Sequence, residues 1–160
     1  MPPSTPDQLP EVEPAGEGEI QLHSILVPID FSEASWRALR HANRIARLTG
    51  AKITLIYVCQ ARLVATEFAY LPNQEFSMCS SSEQKLKSDA VGRIPAELLK
   101  AAVVRHGVAF DEIVKAARDL KIDLIVINTH GHTGLKHALL GSTAERVVRY
   151  APCPVLVVRE

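Results

Sequence analysis

Short apolar runs alternate with segments of helical period from about Leu22 to the end of the chain, and this alternation limits the fold more than any other feature. Ser24-Ile25-Leu26-Val27-Pro28-Ile29 is nearly continuous in apolar character, as a parallel strand covered on both faces requires. Pro28 has no N–H to give a ladder, so it belongs at the strand's end or at an irregularity. Asp30 or Ser32 can then cap a helix. Trp36, Leu39, Asn43 and Ala46 follow at helical spacing, and Gly50 stands where a helix ends.

The same unit recurs. Ile53–Val58 reads as a second strand. Residues 59 to about 82 show no clear period. Glu83–Arg93 reads as a helix that Pro95 ends, and Ala101–Arg105 as a third strand. Asp111-Glu112 opens the next helix, where acids suit the positive end of the helix dipole. Ile113, Ala116, Ala117 and Leu120 make its apolar stripe. Leu124–Ile127 is a fourth strand, Ser142–Tyr150 a helix, and Val155–Val158 a fifth strand. Strands that alternate with helices predict a three-layer α/β domain on an open parallel sheet, Rossmann-like in build. No internal repeat is visible, so 21–160 reads as one domain. Residues 1–20 carry Pro2, Pro3, Pro6, Pro10 and Pro14 with little apolar surface, and read as a disordered Pro-rich tail.

Composition narrows the function. Eighteen basic and eighteen acidic residues balance, so no long-range field draws in nucleic acid or an anionic membrane. No run approaches the ~20 apolar residues that cross a bilayer. Met1–Gly18 lacks the apolar core of a secretory signal. Cys59, Cys79 and Cys153 are odd in number and have no CxxC spacing, so reduced thiols in a cytoplasmic protein are expected rather than disulfides or zinc.

The chemistry concentrates in Asn128–Thr143. Gly131 and Gly134 allow positive φ and close approach of backbone to a ligand. Gly141-Ser142-Thr143 opens a helix, where free amides, the dipole and two hydroxyls suit a phosphate. The plainer alternative is that the glycines shape a turn and Ser142 caps a helix. The segment is neither a Walker loop nor a dinucleotide GxGxxG. His130, His132 and His137 have no Cys or carboxylate at a ligand spacing beside them, so no metal site is expected. No nucleophile elbow or paired-carboxylate motif is present, and no catalytic residue is assigned.

In this segment Asn128, two residues, Gly131, nine residues and Gly141-Ser142 resemble the signature of universal stress proteins, with Asn128 in place of the family's first Gly. The resemblance extends through Ala144–Val148 and Ala151–Val158, and at the other end through Ile25–Ser32. It implies an adenine nucleotide alpha hydrolase-like sheet of strand order 3-2-1-4-5, with the two blocks meeting where the winding reverses, the usual place for a ligand. It further implies Pro28, Ile29, Asp30 and Val58 around an adenine, and Asn128 and Gly131 near the ribose and phosphates. His132, Gly141, Ser142 and Thr143 would hold the phosphate chain. Asp30 is equally a helix cap, and Val58 equally core lining. Asn128 tolerates left-handed backbone better than most residues, and its amide can reach a ribose hydroxyl. The expected ligand is ATP, with Mg²⁺ if it is a triphosphate. The expected assembly is a homodimer through the exposed fifth strand, acting in stress response. Two alternatives stand beside this: a nucleotide-free dimeric interaction module, and a slow ATP hydrolase.

Overall fold

In the computed structural model, residues 21–60, 72–129 and 141–159 are described, with backbone alone for 72–80. All five residues of strand β1 (Ser24–Pro28) are buried. Their side chains alternate between two cores. Ile25 and Val27 enter one apolar cluster, Leu26 the other. A strand with apolar residues on both faces needs a helix layer on each side, and the chain supplies both.

Helix α1 (Glu33–Thr49) follows β1 directly. Ser32 is its N-cap and accepts from Ser35 N, while Gly50 closes it with φ 75°. Strand β2 (Lys52–Cys59) repeats the alternation, with Ile53 and Leu55 in the first cluster and Ile56 in the second. Helix α2 (Pro72–Ala90) precedes strand β3 (Leu99–His106), and helix α3 (Ala109–Asp119) precedes strand β4 (Leu124–Asn128). Helix α4 (Ser142–Tyr150) and strand β5 (Val155–Val158) complete the order. Leu39 and Leu86, from α1 and α2, lie in the first cluster; Ile113 and Val147, from α3 and α4, lie in the second. The result is a sheet between two helical layers.

The sheet is parallel throughout, in the order β3-β2-β1-β4-β5, as expected. Winding runs outward from β1 in both directions, so β1 and β4 are the neighbours at the reversal. Some boundaries differ from the sequence reading. α2 begins at Pro72, inside the stretch read as aperiodic, and ends at Ala90 rather than Arg93. Proline suits a first helical position because its φ is already helical and its missing N–H would be unpaired there anyway. β3 starts two residues early, and its register with β2 shifts between Ile53 and Thr54. α3 starts at Ala109, with Val108 as an N-cap that makes no side-chain bond.

Candidate functional site

Pro28 determines where the sheet opens. Asp123 N donates to Ser24 O, so the even-numbered residues of β1 aim their backbone groups at β4. Lys52 N donates to His23 O and Ile29 N to Ile56 O, so the odd-numbered residues face β2. The N–H that Pro28 lacks is therefore one that would have reached β4. The β1–β4 register ends at Leu26↔Ile125, whereas β1–β2 continues to Pro28↔Ile56. The two central strands part at their carboxyl ends, and a crevice begins between them.

A cavity of about 370 Å³ fills this crevice, within the range of roughly 300–1,000 Å³ typical of small-molecule sites. The structure brings together Pro28, Ile29, Asp30, Val58, Asn128, Gly141, Ser142 and Thr143 in its wall. Gly131 and His132, with the rest of 130–140, lie outside the described residues. Sequence reasoning missed Ile56, Tyr57, Gln60, Ala109, Ile113, Ile127, Thr129 and Ala144. Strand alternation could have found Ile56, which lies two residues before Val58 and on the same face. The first turn of α3 carried no such signal.

One side of the cavity is built on Asp30. Its Oδ1 accepts from Ser32 N at 3.0 Å and from Ser32 Oγ. Ser32 Oγ in turn accepts from Ser35 N at 3.2 Å. Asp30 therefore holds the residue that caps α1, while the cap itself is Ser32. Between them Phe31 has φ 64°, a left-handed conformation that is uncommon for a bulky residue. Its ring packs 4.8 Å from that of Tyr57, and Lys85 Nζ lies 4.0 Å above its centroid.

The facing side is the start of α4. Gly141 is its N-cap in extended backbone, with no side-chain cap bond. Gly141 N donates to Thr129 O at 2.7 Å, and Thr129 N to Val158 O at 3.1 Å. These bonds pin the helix start against the end of β4. Gly141, Ser142 and Thr143 line the cavity at the start of α4, and the free first-turn amides of a helix start with two hydroxyls are the equipment of an anion site. Asn128 is the last residue of β4, paired in register with Val158, and does not have positive φ. A side chain at this position therefore costs no backbone strain, and the cavity persists with Asn128 in its wall. Among the described residues, Asp30 is the one charged side chain lining the cavity. The site is thus polarised: a carboxylate at the α1 side, amides and hydroxyls at the α4 side, and aliphatic Ile29, Val58 and Ile127 between. Among the described residues no group of three His, Cys, Asp or Glu is placed to hold a metal.

Residues 21–159 match the model of the universal stress protein family. The chain belongs to the universal stress protein family. A universal stress protein of Methanocaldococcus jannaschii is 36% identical over 149 residues, covering 89% of this chain and 85% of the relative. The structure of universal stress protein UspA from Lactobacillus plantarum superposes with a TM-score of 0.73 at 27% identity, over 87% of this chain and 99% of that one. Two more distant universal stress proteins share the fold and were solved with nucleotides. One, in complex with cAMP, has a TM-score of 0.62 at 23% identity and spans 86% of this chain and 97% of its own. The other, from Archaeoglobus fulgidus in complex with dAMP, has a TM-score of 0.58 at 21% identity and spans 86% and 98%.

Proposed function

We propose that this chain is a nucleotide-binding regulatory protein that holds ATP in the β1–β4 crevice and acts as a cytoplasmic homodimer in stress response. The observation that carries the reading is the polarity of the crevice. Asp30 can accept from an exocyclic amine or a hydroxyl but would repel phosphate, whereas the start of α4 attracts it. An adenine nucleotide laid base toward β1 and phosphates toward Ser142 satisfies both ends. Ile29, Val58 and Ile127 offer the apolar surface that a purine ring needs. Two universal stress proteins of the same fold are complexes with cAMP and dAMP, which supports an adenine nucleotide as the ligand class.

The donor set fits a triphosphate with Mg²⁺. Mg²⁺ prefers oxygen ligands and usually keeps several waters beside substrate phosphates. The hydroxyls of Ser142 and Thr143 are the oxygens that would stand near it. Gly131 and His132 remain part of the proposed phosphate grip. The cytoplasmic assignment rests on the cysteine pattern.

Two measurements test the reading. Nucleotide released from denatured, freshly purified protein is identified by chromatography, and thermal unfolding is followed with added ATP and Mg²⁺. Ligand at one hundred times its Kd stabilises by about 2.7 kcal/mol, a rise of about 5–10 °C in Tm for a domain of this size. Asp30→Ala weakens ATP about ten-fold or more, since it removes an ionised acceptor worth about 1.5–3 kcal/mol. Absence of both copurified nucleotide and a thermal shift would overturn the proposal in favour of the interaction-module reading.

A further inference from the structure

We propose that the acidic segment Asp7–Glu19 of this chain docks along the basic groove between α3 and α4. The groove has a volume of about 620 Å³ and is walled by Phe110, Arg118, Arg146, Arg149 and Tyr150. Arg146 stacks its guanidinium 4.9 Å over the Phe110 ring, whose centroid is 6.2 Å from that of Tyr150. Two acids share the groove, Asp111 and Glu145, and both are already engaged. Lys115 Nζ lies 2.7 Å from Asp111, and Arg149 lies 3.2 Å from Glu145. Arg118 and Arg146 form no ion pair with any described residue. Counting only the described residues, the groove thus offers two guanidiniums without an ion-pair partner beside two aromatic rings.

The occupant follows from charge and reach. Residues 1–20 hold Asp7, Glu11, Glu13, Glu17 and Glu19 with no Lys or Arg, which leaves the rest of this neutral chain with an excess of five positive charges. The segment also enters the fold beside the groove. His23 N donates to Asp123 Oδ2 at 2.9 Å, and Ser24 Oγ lies 2.8 Å from Lys121 O. Lys121 stands three residues beyond Arg118. From there twenty residues reach as far as ~66 Å, while α4 with its nine residues rises only ~13 Å. Attachment to the same chain supplies a high effective concentration, so a few ion pairs suffice.

The test compares side-chain Nε–Hε and backbone resonances of the ¹⁵N-labelled full chain with those of a variant carrying Asp7→Asn, Glu11→Gln, Glu13→Gln, Glu17→Gln and Glu19→Gln. The expected result is a set of shift changes confined to α3 and α4, strongest at Arg118 and Arg146. They should vanish above about 0.5 M salt, where screening is nearly complete. In an Arg118→Glu, Arg146→Glu background the same five neutralisations should change nothing in the groove. Superimposable spectra of the two chains would overturn the proposal. So would changes that grow with protein concentration, which would place another copy's segment in the groove.

Discussion

Phe31 sits between the carboxylate that lines the crevice and the serine that caps α1. Its left-handed φ of 64° costs roughly 1–2 kcal/mol for an L-residue. The surroundings hold it there: Tyr57 and Lys85 against its ring, and the Asp30–Ser32 bonds on either side of its backbone. Phe31→Ala loses the ring and keeps the strain. Phe31→Gly loses the ring and relieves the strain. In chemical denaturation the glycine variant should be more stable than the alanine variant by about 1 kcal/mol, the reverse of the usual order for these residues. The ordinary order would show that position 31 does not store strain.

Asp123 ties stability to acid. Burial alone would push the Asp123 carboxyl up, but the donors His23 N, Ser24 Oγ and Ser24 N outweigh it and hold the group below the usual carboxylate range. A carboxyl depressed in the folded state contributes stability that is fully present above its unfolded value, about 3.9. That contribution is lost as pH falls through the lower folded value. Asp123→Asn should therefore flatten the acid limb of the stability–pH curve below about pH 4 and lower stability at pH 7. A parallel offset at every pH would contradict it.

At the scale of elements, what could be read from the sequence depended on burial. β1 was legible because all five of its residues are buried, and β4 because it runs Leu-Ile-Val-Ile between two layers. α1 was legible from both its ends, Ser32 and Gly50. α2 was legible only in its second half, read as Glu83–Arg93, where Leu86 and Ala90 are buried; the stretch 72–82 is mostly polar, with no apolar stripe to show a period. The crevice was legible as two motifs that the sheet order brings together. The floor between them, Ile56 and Ile127, reads as ordinary core in sequence. Ala109 is hidden for another reason: it sits where α3 begins, and that boundary is set by tertiary packing.

The turn into α3 offers its own test. Gly107 has φ 138°, and a Cβ there would meet Glu112 Cγ at 3.2 Å. Glu112 faces Arg105 at 3.8 Å and is half-buried, so it has little room to retreat. Gly92 also has positive φ, 77°, but a Cβ there meets nothing. Gly107→Ala should therefore lower stability by about 2 kcal/mol or more, and Gly92→Ala by about 1 kcal/mol. Equal losses would mean that Glu112 gives way freely.

For the whole molecule, the decisive feature is the outer edge of the sheet. β5 pairs with β4 on one side only among the described strands. Ile125 N donates to Pro154 O and Thr129 N to Val158 O, so the even-numbered residues of β5 serve β4. By the same parity, Val155 and Val157 aim their N–H and C=O groups outward, and Leu156 remains 38% exposed. An apolar edge of this kind invites a second copy, which is the dimer proposed above. Parity gives a clean dissection. Val157→Pro removes an outward donor and leaves the β4 ladder intact, so sedimentation at micromolar concentration should report a folded monomer. Leu156→Pro removes a donor that faces β4, so it should lower Tm in any assembly state. If Val157→Pro sediments as wild type does and both are dimers, the copies meet elsewhere. If wild type is itself a monomer, the edge is protected by something other than its own kind.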